Sequence, residues 1–161
     1  MKLQRLFEMQ RELDRYIEQA NGVEGDLFEK KVLALNVELA ELANETRCFK
    51  FWSRKGPSPD EVILEEYVDS IHFLLSLGIL EGLDGLEEWP EGEVAGDLTT
   101  LFLLTQRRIL SFAENPGSES YRDIWICYGA IADRLHFGTD AVIDAYEKKN
   151  EENYNRQHRG Y

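Results

Sequence analysis

The chain has 161 residues, with 31 Asp or Glu against 18 Lys or Arg and a net charge of −13. So acidic a chain excludes a nucleic-acid partner, because phosphate backbones are bound by basic surfaces. The start, MKLQRLFEMQRELDRYIEQ, has no apolar signal core, and no stretch reaches the roughly 18 apolar residues of a membrane span, so a soluble, cytoplasmic protein without a membrane partner is expected.

In chain order, residues 2–20 read as an amphipathic helix with Leu3, Leu6, Leu13 and Ile17 on one face, closed by Asn21-Gly22. Gln10 and Asp14 fall on a neighbouring stripe, as ordinary solvent-facing residues. Asp26-x-x-Glu29 looks like a capping box for a second helix running to about Arg47. Ser58-Pro59-Asp60-Glu61 places Ser58 as the N-cap of a third helix reaching about Leu80. The acidic, Gly-rich stretch 81–97 reads as a solvated connection. A fourth helix spans about 97–113 and a fifth about 118–137, stopped by Gly138; Thr139 or Asp140 caps a sixth, about 140–153. No alternating strand pattern competes. The fold class is all-α, a bundle of about six helices in a single domain, residues 1–161, long enough to bury a core. Cys48 and Cys127 have no metal-type spacing and are expected as reduced thiols.

Two carboxylate pairs stand out, Glu38-x-x-Glu41 and Glu66-x-x-Asp69. Residues three apart share a helix face, with Cβ atoms roughly 5–6 Å apart. Both pairs lie in otherwise apolar helices, LALNVELAELA and ILEEYVDSIHFLLS. One such pair is usually just a solvated face. Two embedded pairs bring four acids together if their helices pack, and that is strongly unfavourable without a cation. An all-oxygen ligand set favours Mg²⁺, with Mn²⁺ as the alternative. Glu45, one turn beyond Glu41, is either a further ligand or an exposed acid. His72, in phase with Asp69, is either a satisfied structural group or a contact to a substrate hydroxyl.

Two further stretches carry chemistry. Between the acidic helices, Phe49, Phe51 and Trp52 are interleaved with Lys50, Arg54 and Lys55, which suits a nucleobase and its phosphates, although aromatics there could also plug the core edge. Near the end, Lys149, Asn153 and Arg156 follow at helical offsets of four and three, a cation–amide–guanidinium row on one face. The bland counterpart is a frayed, charged terminal helix.

Taken together, VELAELANETRCFKFWS, LEEYVDSIHFLLS, LFEMQRELD and KKNEENYNRQHRGY resemble the dimeric all-α dUTPase family of Gram-positive bacteria and their phages, within the MazG-related all-α NTP pyrophosphohydrolases. The resemblance covers nearly the whole chain. It implies hydrolysis of dUTP to dUMP and pyrophosphate, with dUDP also accepted, using Mg²⁺ in a helical dimer, in a bacterial cell or a phage-infected host. By position it implies that Glu38, Glu41, Glu66 and Asp69 hold metal and that Lys149, Asn153 and Arg156 hold phosphates. Gln10 and Trp52 would enclose uracil, and His72 would lie near the deoxyribose; Lys50 and Arg54 carry weaker support.

The chemistry expected is attack of water at the α-phosphorus, with Glu41 as the base. A tight pocket would exclude the 5-methyl of thymine. The rival within the class is a MazG-like or dCTP-directed pyrophosphohydrolase. The reading of another class is a regulatory interaction protein binding a repressor-type partner, for which the acidic stretch 81–97 is the candidate surface. Leu98, Leu101, Phe102, Leu104 and Ile109 cannot share one narrow stripe, so a homodimer is expected.

Overall fold

Apolar residues recur at helical spacing along the chain, and the computed structural model, which describes residues 1–161, resolves them into six α-helices. These are α1 (Gln4–Ala20), α2 (Phe28–Thr46), α3 (Asp60–Leu80), α4 (Leu98–Glu114), α5 (Ser118–Leu135) and α6 (Thr139–His158). The all-α bundle expected from the sequence is the fold observed. No helix is long and apolar enough to cross a membrane.

Helix α3 is the axis of the bundle. Apolar side chains surround much of it, and α1, α2 and α6 all pack on it. Ile63, Tyr67, Val68, Ile71, Leu74, Leu75 and Leu77 are buried there. Helix α5 reaches α3 through two tyrosines, whose hydroxyls donate to backbone carbonyls: Tyr67 to Tyr128 O at 2.8 Å and Tyr121 to Leu74 O at 2.6 Å. Buried hydroxyls need such partners, since an unmet one costs about 1–3 kcal/mol. Gly78 makes the Tyr121 crossing possible, because a Cβ there would collide with the phenol.

Several local expectations are corrected. Ser58 does not cap α3. Pro59 stands at the cap without a side-chain bond, and the Ser58 hydroxyl instead donates to the Glu45 carboxylate. The hydroxyl's single proton goes to a charged acceptor across the α2–α3 connection, a stronger bond than one to a neutral group. Asp26 accepts from Phe28 N at 2.9 Å, an Asx turn rather than a reciprocal capping box. Helix α5 ends at His136 in the left-handed region (φ 60°), and Gly138 serves as the N-cap of α6. Helix α6 runs to His158, well past 153. Tyr154 and His158 pack on Tyr16 of α1, at 5.1 and 5.4 Å between ring centroids, and this tertiary support overrides weak local propensity.

The stretch 81–97 is not simply solvated. Leu83, Leu86, Trp89 and Val94 pack against the core, and Trp89 Nε1 donates to Trp125 O at 2.8 Å. The chain start pairs with it, Leu3 N to Glu87 O and Trp89 N to Met1 O, both 2.8 Å, so α1 begins at Gln4 rather than residue 2. Gln10, expected at the surface, is only 3% exposed.

Candidate metal and nucleotide site

Packing of α2 on α3 brings Glu38, Glu66 and Asp69 together, with one carboxylate oxygen from each within 4.8 Å of the others. The second oxygens of Glu38 and Glu66 are buried and have no hydrogen-bond partner. Burial first, then the neighbouring acids, pushes the Glu38 carboxyl up to about 8 and the Glu66 carboxyl up to about 7. Asp69 is also raised, by burial, although Lys149 opposes the shift. Three converging carboxyls, two of them with a buried oxygen left unmet, fit a hard divalent cation, which would favour all of them ionised.

Glu41 stands outside this group. It is exposed, and it lies near enough to Glu38 to raise that carboxyl's affinity for a proton. Glu45 is also outside, engaged by Ser58.

A pocket of about 300 Å³ opens beside the carboxylates. Glu38 and Asp69 form one side, Gln10, Asp14, His72 and Ser76 another, and Asn153 and Arg156 lie along α6. His72 is buried, stacked on Tyr146 at 4.3 Å and 20°, and neither ring nitrogen has a partner. Burial, reinforced by Lys149, holds its pKa down at about 3. The imidazole is therefore neutral at ordinary pH, with one N–H and one lone pair to offer.

The basic row of α6 runs along this site. Lys149 is 5% exposed, and its Nζ lies 2.8 Å from Glu65 Oε1, 3.2 Å from Asp69 Oδ1 and 3.5 Å from Glu152 Oε2. Arg156 pairs with Glu152 at 3.0 Å and lies over the Tyr161 ring, 5.3 Å from its centroid.

An acid cluster, a polar pocket and a basic row lie in one place, and the family model for dUTPase matches residues 2–161. The chain belongs to the all-α dUTPase family. Its activity is that of a dUTP diphosphatase, a nucleotide pyrophosphohydrolase, in a family generally dependent on divalent metal. No curated protein matches the chain.

In this dUTPase the aromatic loop stands apart from the pocket. Trp52 is 64% and Phe51 93% exposed, packed edge-to-face at 5.1 Å. Lys50 lies 5.9 Å over the Phe49 ring, and Arg54 is exposed. The loop starts at Arg47, in the left-handed region (φ 57°), whose guanidinium donates to Lys55 O at 3.1 Å and Ser53 Oγ at 2.9 Å. A Cβ-bearing residue in that conformation is strained, and the two bonds offset the strain.

Asp14, read from the sequence as solvent-facing, lines the pocket, and Ser76, Gln157 and Tyr161 line it and Tyr146 stacks on His72 without having been read as site residues. A signal existed for Ser76, which continues the phase of Asp69 and His72 along α3, and for Asp14, one turn from Gln10. Tyr146 was unreadable, because its value is the ring it places against His72 from another helix.

Proposed function

We propose that this dUTPase hydrolyses dUTP, and dUDP as well, to dUMP, with Mg²⁺ or Mn²⁺ held by Glu38, Glu66 and Asp69 and with Glu41 completing the set. The observation that carries the reading is the single pocket lined by Glu38 and Asp69, by Gln10 and His72, and by Asn153 and Arg156. Those three groups match the charge sequence of a nucleotide bound through its phosphates to a cation.

When bound, the cation offsets phosphate charge and polarises the phosphorus–oxygen bonds. Glu41, exposed near Glu38, orients the attacking water and takes its proton. The water oxygen bonds to the α-phosphorus, the bond to the bridging oxygen breaks, and its electron pair leaves with pyrophosphate, or with phosphate from dUDP. Lys149, Asn153 and Arg156 hold the departing phosphates and stabilise their charge. Gln10 meets the uracil edge, and the neutral His72 ring meets the sugar hydroxyl.

The enzyme acts as a homodimer in this reading. Leu33 (65%) and Val37 (46%) on α2 and Leu103 (49%) and Leu110 (54%) on α4 leave an apolar surface on two helices that pack together. Trp52, away from its own pocket, would close the uracil site of the partner. Mixing inactive Trp52→Ala and Glu41→Gln proteins tests this, since only a shared site regains activity.

A nucleotide panel with Mg²⁺ tests the substrate. Preferential turnover of dUTP and dUDP, abolished by EDTA, is expected. Equal turnover of dCTP would favour the dCTP-directed alternative, and full activity in excess EDTA would remove the cation from the reading.

A further inference from the structure

Gln10 sits in the pocket with its amide tied at both ends. Its Nε2 donates to Asp14 Oδ1 at 2.9 Å, and its Oε1 accepts from the Tyr146 hydroxyl at 2.9 Å. These two ties are not equivalent. A phenol hydroxyl can donate or accept, and the Tyr146 proton has a second acceptor in Leu6 O at 3.3 Å, so Tyr146 tolerates either orientation of the amide. An ionised carboxylate only accepts, so Asp14 admits only the N–H₂ end. Asp14 is itself held in place. The Ser76 hydroxyl donates to its Oδ2 at 2.7 Å, and Lys31 Nζ lies 3.8 Å from the same oxygen.

After these bonds the Gln10 amide keeps one N–H and one lone pair uncommitted. Uracil presents N3–H beside a carbonyl oxygen, which takes an acceptor opposite N3 and a donor beside it. Cytosine in the same pose presents a bare N3 beside an amino group and needs the reverse order. A rotation of the amide by 180° would exchange one preference for the other.

We propose that Asp14 is a positioning residue that fixes the Gln10 amide in the orientation accepting uracil and refusing cytosine. The inference rests on Gln10 meeting the uracil edge. It assigns base selectivity to a carboxylate that need not touch the substrate, relayed from Ser76 and Lys31 through Asp14.

The test is the ratio of kcat/KM for dUTP to that for dCTP in the full-length enzyme with Mg²⁺. Asn at position 14 can either donate or accept, so Asp14→Asn should release the amide. The ratio should fall about ten- to hundredfold, the discrimination typical of one bidentate amide–base pair. The change should appear in KM, with dCTP improving as dUTP worsens, and rejection of dTTP should stay as it was. A merely structural role would weaken both substrates together and leave the ratio alone. Ser76→Ala, which frees one Asp14 oxygen, should move the ratio the same way by less. If Asp14→Asn does not fold, Ser76→Ala decides alone, and an unchanged ratio overturns the proposal. Gln10→Ala separates the two layers. A raised dUTP KM there with an unchanged ratio in Asp14→Asn refutes the lock but keeps the uracil site. An unchanged dUTP KM in Gln10→Ala refutes the uracil site itself.

Discussion

Lys149 Nζ lies 3.2 Å from Asp69 Oδ1, so the first cation of the basic row of α6 is already ion-paired with a carboxylate of the acid cluster. It is the only Lys or Arg within ion-pair distance of Glu38, Glu66 or Asp69. That contact works against the rise of Asp69, while Glu38 and Glu66, with no basic partner, are raised by burial and then by neighbouring acids, Asp69 and Glu41 among them. Lys149→Met should therefore destabilise the metal-free protein by about 1–3 kcal/mol, since Asp69 and Glu65 lose their counter-charge. Mg²⁺ should recover most of that loss. Thermal melts in EDTA and in Mg²⁺ check it: an identical loss in both would make Lys149 a purely structural tie.

The pH dependence of the metal-free protein follows from the same acids. Glu38 and Glu66 hold protons in the folded state up to about 8 and about 7, against 4.5 for an unperturbed Glu. The native state thus binds protons that the unfolded chain releases. Their contribution to stability is fully present below the unfolded value and is lost as pH rises through 7 and 8. The melting temperature in EDTA should fall progressively between about pH 4.5, where the unfolded chain starts to release these protons, and about pH 8, where the folded protein has lost them too. Because a cation needs the ionised forms, stabilisation by Mg²⁺ should grow over the same span. A flat EDTA profile would mean that the carboxyls are already ionised at pH 6.

Glu41 differs from its neighbours in being exposed, and its charge raises the Glu38 proton affinity. Glu41→Gln should abolish turnover yet leave the metal-free fold as stable or slightly more so, because one repulsive charge is gone. Activity and melting temperature measured on the same sample check this. A fully active variant would remove Glu41 as the base.

The aromatic loop gives a prediction that separates backbone from side chain. Arg47→Gly keeps the left-handed backbone available while deleting the bonds to Ser53 and Lys55. The melting temperature should change little, but the dUTP KM should rise, by about tenfold if Trp52 loses its placement. Unaltered kinetics would show that the loop does not need this tether, or that Trp52 does not meet the base.

The six helices were legible because apolar spacing of three and four residues persists through each of them. The convergence of Glu38, Glu66 and Asp69 was legible because spacing within a helix is regular, but Glu41, read as the partner of Glu38, falls outside the group. What the sequence hid was carried by contacts between distant segments. Ser58 reads as a cap until Glu45 is seen across the connection. Residues 81–97 read as solvated until Trp89 finds Trp125 and the chain start. Gln10 reads as a surface residue until Tyr146 arrives from α6. Local rules see one helix at a time, and the polar side of this site is assembled from α1, α3 and α6.

Arg156 closes the basic row and lines the pocket, but it is partly neutralised by Glu152 at 3.0 Å and rests on the Tyr161 ring. If it grips the departing phosphates, Arg156→Ala should weaken a non-hydrolysable dUTP analogue much more than dUMP. A lost charge-assisted bond is worth about 1.5–3 kcal/mol, or ten- to a hundredfold. The lower end applies here, because a bound phosphate must first displace Glu152, and both groups are partly exposed. The competing pair gives the prediction a second side. Glu152→Gln removes the competitor for both Arg156 and Lys149, so analogue affinity should rise by a few-fold while dUMP affinity stays fixed. Calorimetric titration of both ligands into the three proteins reads all of these changes. Equal losses for dUMP and the analogue in Arg156→Ala would instead place the guanidinium near the nucleoside.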